Sequence, residues 1–345
     1  MRTTLSLIAT LGVASAANAQ SIILDGAVDK SYGAPVIEQN TQTQFGDSNL
    51  GTVDYANGSE LNSAYAKIEG GFLHLVLTGN LESNFNKLEV FIDAVPGGQN
   101  RLRGDNLDVD FNGLNRMGDI LTTKAPEGLT FDKGFEADFW VGVTCGGSPF
   151  AVYMNRATLP TGGAGTGGYL GTGGAGLSGA VADFGDQNPS GVGFGYGLDN
   201  SNIAGVAGGT DIQAPGIVTT GVEIKIPLSA IPGYTEGDLK ICAFINGGGH
   251  DFMSNQVLGP IGGGPFFGEP RAVNFANVPG EQFFVVSAGS APACPADLDG
   301  SGSVDAADLA ALLGAWGTAG ADINGDGSTD ASDLAAMLGA WGDCV

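Results

Sequence analysis

Residues 64–77 read Ala-Tyr-Ala-Lys-Ile-Glu-Gly-Gly-Phe-Leu-His-Leu-Val-Leu. Ala64, Ala66 and Ile68 alternate up to Glu69-Gly70-Gly71, and Leu73, Leu75 and Leu77 alternate away from it. In a strand every second side chain shares a face, so two such runs around a Gly-Gly turn predict an antiparallel hairpin. The same period-two signal predicts strands at 88–92, 135–143, 150–154, 222–226, 239–245 and 282–286, with Gly, Pro, Asn and Asp clusters between them. Many short strands with intervening turn signals predict a mostly β chain, with an antiparallel β-sandwich or related barrel over residues 20–288.

Outward from that core, residues 161–209 are glycine-rich, with Gly162-Gly163, Gly167-Gly168 and Gly173-Gly174 in quick succession. Ordering glycine loses the most backbone freedom, so this stretch reads as a loosely packed surface insertion. No Gly-Lys-Ser/Thr follows, which excludes a phosphate-binding loop. At the start, Arg2 precedes an apolar run over residues 5–17 that ends in Ala17-Asn18-Ala19, the pattern of a secretory signal peptide over 1–19. No longer apolar run follows, so no membrane span is expected.

The chain is 43 % hydrophobic, enough to bury a core, and its 13 Lys and Arg against 37 Asp and Glu leave a formal charge of −24. That balance repels phosphate backbones and anionic membranes and argues against a nucleic-acid partner. Four cysteines in an exported chain read as disulfides, of which three connectivities exist. Cys294 with Cys344 and Cys145 with Cys242 is the expected pairing.

Residues 289–293 read as a linker, and beyond them two segments align without a gap at a spacing of 25 residues. A hard cation takes six to eight oxygens, from loop positions 1, 3, 5, 9 and 12 and the carbonyl at 7. The first loop offers Asp297, Asp299, Ser301, Asp305 and Asp308 with the carbonyl of Ser303; the second offers Asp322, Asn324, Asp326, Asp330 and Asp333 with that of Ser328. Gly302 and Gly327 stand where the loop turns sharply. Residues 291–345 hold nine Asp and no Lys, Arg, Glu or His, so two calcium ions are expected here. Helices are predicted over 306–316 and 331–341, with Leu309, Leu312, Leu313 and Trp316, and Leu334, Met337, Leu338 and Trp341, on their apolar faces.

Two Asp-terminated loops, each followed but not preceded by a helix, resemble a type I dockerin over residues 294–345. The resemblance implies docking, to a cohesin-like or other surface protein, and attachment to polysaccharide-degrading systems. Positions 10 and 11 are Ala306-Ala307 and Ala331-Ser332, where cohesin-reading dockerins commonly carry hydroxylated residues.

In the large domain, the hairpin and the Gly-Asn that follows it are loosely similar to secreted carbohydrate-binding sandwiches of the family 9 and DOMON-like type. That likeness implies polysaccharide as a ligand and names no ligand residues. His74 reads as a sheet-face residue, His250 as a loop residue, and Trp140 as core. Asp93, Glu136 and Asp138 are the acids weighed for a glycoside hydrolase, which needs two. Asp108-Val-Asp110-Phe-Asn112-Gly113 begins like a calcium loop, but Arg116 stands at position 9, and an Asx turn is the simpler reading. The expectation is a non-catalytic, polysaccharide-associated component docked through its C-terminal module. A glycoside hydrolase and a structural matrix protein are the alternatives.

Overall fold

The structure is a computed structural model of the chain. It describes residues 22–43, 45, 58–119, 127–173, 180–183, 193–201, 215–259, 261–287, 295–299, 303–318, 320–324 and 327–343. The expected signal peptide, the linker and the Cys294–Cys344 pair lie outside these residues. Ile22–Gly289 forms one compact unit, and Ser290–Val345 belongs to a second.

The chain is mostly β, with two α-helices among the described residues. In the larger unit the strands are β1 (Ile37–Glu38), β2 (Glu60–Glu69), β3 (Phe72–Asn80), β4 (Asn84–Asp93), β5 (Phe139–Gly146), β6 (Ala151–Thr158), β7 (Gly167–Gly173), β8 (Ala180–Asp183), β9 (Gly195–Leu198), β10 (Gly221–Pro227), β11 (Leu239–Asn246), β12 (Met253–Leu258) and β13 (Phe284–Val286). One antiparallel sheet runs β1-β2-β3-β10-β9-β8, the other β12-β11-β4-β5-β6-β7, with β13 also paired to β11. The predicted hairpin is β2 and β3, with Ala64 opposite Leu77 and Ile68 opposite Leu73. Its turn uses Gly70 and Gly71 at φ 59° and 85°, the left-handed geometry that glycine adopts without strain.

Alternation places both sheets on one shared core. Leu73, Leu75 and Leu77 of β3 and Val222, Ile224 and Ile226 of β10 pack with Leu88, Val90 and Ile92 of β4 and Phe139, Val141 and Val143 of β5. The other face of the larger sheet is covered too. Phe91, Trp140, Cys242 and Phe244 pack there against Leu102, Leu129, Phe131, Phe135 and Phe275, from segments between the strands. A strand apolar on both faces loses strict alternation, which is why β5 reads Phe-Trp-Val-Gly-Val-Thr-Cys-Gly.

Three expectations are corrected. Cys145 and Cys242 form no disulfide with each other, and both are buried. Cys145 faces the shared core and Cys242 the second cluster, on strands separated by β4. Two strand spacings amount to about 10 Å, beyond the reach of a disulfide. The glycine-rich stretch is no simple insertion, because it supplies β7, β8 and β9. A Cβ on Gly197 would lie 2.3 Å from the Gly26 amide nitrogen, and one on Gly167 2.3 Å from the Arg156 carbonyl oxygen. These glycines therefore permit close backbone packing. Finally, the strand predicted from 135 begins at Phe139; Asp138 folds back so that its Oδ2 accepts from the amides of Ala94 and Val95 at 2.8 and 3.0 Å.

Candidate metal centre and a buried charge network

The C-terminal unit is built from two equivalent halves. Its described elements are β14 (Ser303–Val304), α1 (Ala306–Gly314), α2 (Ala331–Gly339) and β15 (Gly342–Asp343). Each helix starts on a capping box. Asp305 accepts from the Ala307 amide at 2.7 Å while Asp308 accepts from the Asp305 amide at 2.8 Å, and Asp330 and Asp333 repeat both contacts with Ser332 and Asp330 at the same distances. Both α-helices end two residues before the predicted limits, at Gly314 and Gly339.

The halves interlock. Val304 pairs with Gly342, after α2, and the Gly317 amide, after α1, donates to the Thr329 carbonyl at 2.9 Å. Each loop is thus held by the segment that follows the other copy's helix. The buried core repeats the same relation, with Ala296 and Ala321, Val304 and Thr329, and Leu312 and Met337 at equivalent positions. Leu309 and Leu334 are partly buried, whereas Leu313, Trp316, Leu338 and Trp341 stay exposed.

Oxygens of Asp297, Asp299 and Asp308 lie within 4.8 Å of one another. Asp308 Oδ1 accepts from the amides of Leu298 and Asp299 at 2.7 and 3.1 Å, and Asp333 Oδ1 accepts from Ile323 and Asn324 at 2.8 and 3.1 Å. The amides of Asp305 and Asp330, aided by these contacts, hold the two carboxyls below the usual carboxylate range. Both therefore stay ionised with lone pairs to spare. An all-oxygen, anionic donor set fits a hard cation and not a thiophilic one.

The remaining predicted ligands divide. Asp305 and Asp330 are helix caps and stand outside the converging trio. Ser303 opens β14, Asp322 Oδ2 accepts from the Gly327 amide at 2.7 Å, and Ser328 is exposed beside the buried Thr329. Ser301 and Asp326 lie outside the described residues.

In the larger unit, the covered face of the second sheet holds a charge network that strand reading missed. Glu89 on β4 accepts from Trp140 Nε1 at 2.8 Å and Asn246 Nδ2 at 3.2 Å, and pairs with His250 Nδ1 at 2.7 Å. His250 Nε2 faces Asp110 Oδ2 at 3.4 Å, and Lys87 Nζ donates to the same oxygen at 2.7 Å. The row Lys87–Asp110–His250–Glu89 alternates in sign. Burial alone would lower the His250 pKa, but Glu89 and Asp110 outweigh it and raise it to about 9. Asp110, which burial would raise, is brought down to about 2 by its bonds to His250 and Lys87. Gly142 makes room for this arrangement, since a Cβ there would lie 2.4 Å from Trp140 Cζ2. The signal in the sequence was a Lys and a Glu, residues 87 and 89, at alternate positions of an apolar strand.

The 108–119 loop thus receives protein cations at Asp110. Its Arg116 forms a two-pronged pair with Glu269 at 2.7 Å, and Asp119 Oδ1 accepts from the Gly104 amide at 2.8 Å. Of the acids weighed for hydrolysis, Asp138 binds the amides already described, and Asp93 Oδ2 accepts from the Glu136 amide at 3.1 Å and from Lys240 Nζ at 3.1 Å. His74 is half-buried on β3, and burial lowers its pKa. Comparison with protein-family models, curated proteins and solved structures returns no match.

Proposed function

We propose that this chain is an exported calcium-binding protein whose C-terminal unit, a type I dockerin-like module, docks it to a partner protein, and whose β domain associates with polysaccharide. The observation that carries the reading is the recurrence, at a spacing of 25 residues, of one carboxylate cradle: Asp308 and Asp333 each bind the amides of loop positions 2, 3 and 9. Asp297, Asp299 and Asp308 would hold one ion, and Asp322, Asn324 and Asp333 the other. Bound calcium supplies the positive charge that offsets nine mutually repelling Asp residues.

Docking is supported by the exposed apolar side chains Leu313 and Trp316, matched by Leu338 and Trp341 in the second half. Large apolar groups kept in water at equivalent positions suit a contact surface. A cohesin-like or other surface protein fits that role. For the hydrolase alternative, Asp93 and Asp138 each accept from backbone amides of neighbouring segments.

Calorimetric titration of the chelator-stripped full chain with calcium tests the metal reading. Uptake of two equivalents with a gain of helical circular dichroism is expected, and Asp308→Asn and Asp333→Asn should each weaken it. No heat and an unchanged spectrum would refute it.

A further inference from the structure

Beside the charge network, the larger sheet opens into a cleft of about 530 Å³, within the range of small-ligand sites of about 300–1,000 Å³. Its floor is set by strand register: Lys87 lies opposite Thr144, which lies opposite Tyr153, and in the next row Asn155 lies opposite Tyr169. Glycines at 167 and 168 leave that floor low. Two β-bulges bracket it, one between Asn84 and Lys87 and one between Met154 and Asn155. Bulges re-aim side chains, and here Phe85 turns outward to stand 6.2 Å from the Tyr153 ring.

Backbone strain gathers at the same place. Among the described residues five non-glycines have positive φ, and four of them, Phe85, Asp110, Asn112 and His250, belong to the cleft, its wall loop or the network behind it. Such conformations are costly and persist where the surroundings hold a site in shape.

Three features identify the ligand class. The rings of Phe85 and Tyr169 are 43 and 51 % exposed, so flat apolar faces stand ready in water. Asn155 is only 4 % exposed, lines the cleft, and makes no side-chain hydrogen bond to a described residue. Lys87 is neutralised by Asp110 at 2.7 Å, and the whole chain carries −24, so an anion is repelled and a cation meets an ammonium. An uncharged molecule with apolar C–H faces and many hydroxyls satisfies all three.

We propose that this cleft binds a neutral saccharide chain, its ring faces on Tyr169 and Phe85 and its hydroxyls on Asn155 and Asp110. The assignment rests on the polysaccharide reading of the β domain and adds the site and the charge of the glycan. The test is depletion of the full-length protein by insoluble cellulose, mannan, chitin and starch, beside covalently cross-linked, calcium-free alginate and pectate gels. Tyr169→Ala, Asn155→Ala and, as a control on the other unit, Trp316→Ala are compared, with circular dichroism confirming their folding. Saturable depletion on a neutral polysaccharide, weakened about tenfold by Tyr169→Ala and by Asn155→Ala and unchanged by Trp316→Ala, is the expected result. Depletion that survives both cleft variants would keep the polysaccharide reading and overturn the cleft. Depletion only on the anionic gels would keep the polysaccharide reading and overturn the neutral-saccharide cleft, and depletion on nothing would overturn both.

Discussion

Replacing Glu89 by Gln isolates the electrostatic core of the β domain. The carboxylate pairs with His250 at 2.7 Å and accepts from Trp140 and Asn246, all fully buried. Gln keeps the volume and one acceptor but leaves the imidazolium short of its counter-charge. Removing one partner of a buried pair costs about 3–5 kcal/mol, a large share of the roughly 5–15 kcal/mol that holds a domain folded. The pH dependence gives a second readout. His250 is raised from 6.5 to about 9, so its contribution is fully present below pH 6.5 and is lost as pH rises through 9; the shift is worth about 3 kcal/mol. Glu223 and Glu60, raised by burial to about 7 and about 8, also make the native state less stable as pH rises. Comparing the variant with the parent chain removes their effect. Urea unfolding followed by near-ultraviolet circular dichroism at pH 6 and pH 10 should show a gap of about 3–5 kcal/mol that shrinks at the higher pH. Equal stabilities at pH 6, or a gap that ignores pH, would refute the ionic account.

Gly142→Ala should displace the Trp140 indole, whose Cζ2 would lie 2.4 Å from the new Cβ, and destabilise the domain by about 3 kcal/mol with loss of the Trp140 near-ultraviolet signal. Cys145 and Cys242, buried and not bridged to each other, should ignore a thiol reagent in the folded protein and react fully in denaturant, and a reductant should leave the β domain's unfolding unchanged. Leu88→Ala, in the shared core, should cost about 2–5 kcal/mol by chemical denaturation. In the C-terminal unit, Leu312→Ala and Met337→Ala should lower calcium-loaded stability by similar amounts, because the two residues fill equivalent sites in one interlocked core; hydrogen exchange that loosens only one half would contradict the interlock.

Local patterns carry far in this chain. Period-two runs located β2, β3, β4, β10 and β11 within a few residues, because a half-buried strand sorts its side chains by parity. Spacing located the Asp loops and their helices for a similar reason, since a capping box and a tight turn lie within a dozen residues of chain. What lay beyond reach were the relations between distant segments. Whether Cys145 meets Cys242 depends on sheet order, and β4 lies between them. Whether glycine at 167 or 197 means slack or close packing depends on which backbone lies above it. The network joining residues 87, 89, 110, 140 and 250 draws on two strands and two loops, and its charges are buried only because a second apolar layer covers that face of the sheet. The amino-acid order alone therefore determined the strands, the turns and the repeated Asp loops, all governed by short-range sterics and hydrogen bonding. The separation of the two thiols, the buried charge row and the cleft were decided by tertiary packing, which sets distances the local pattern does not encode.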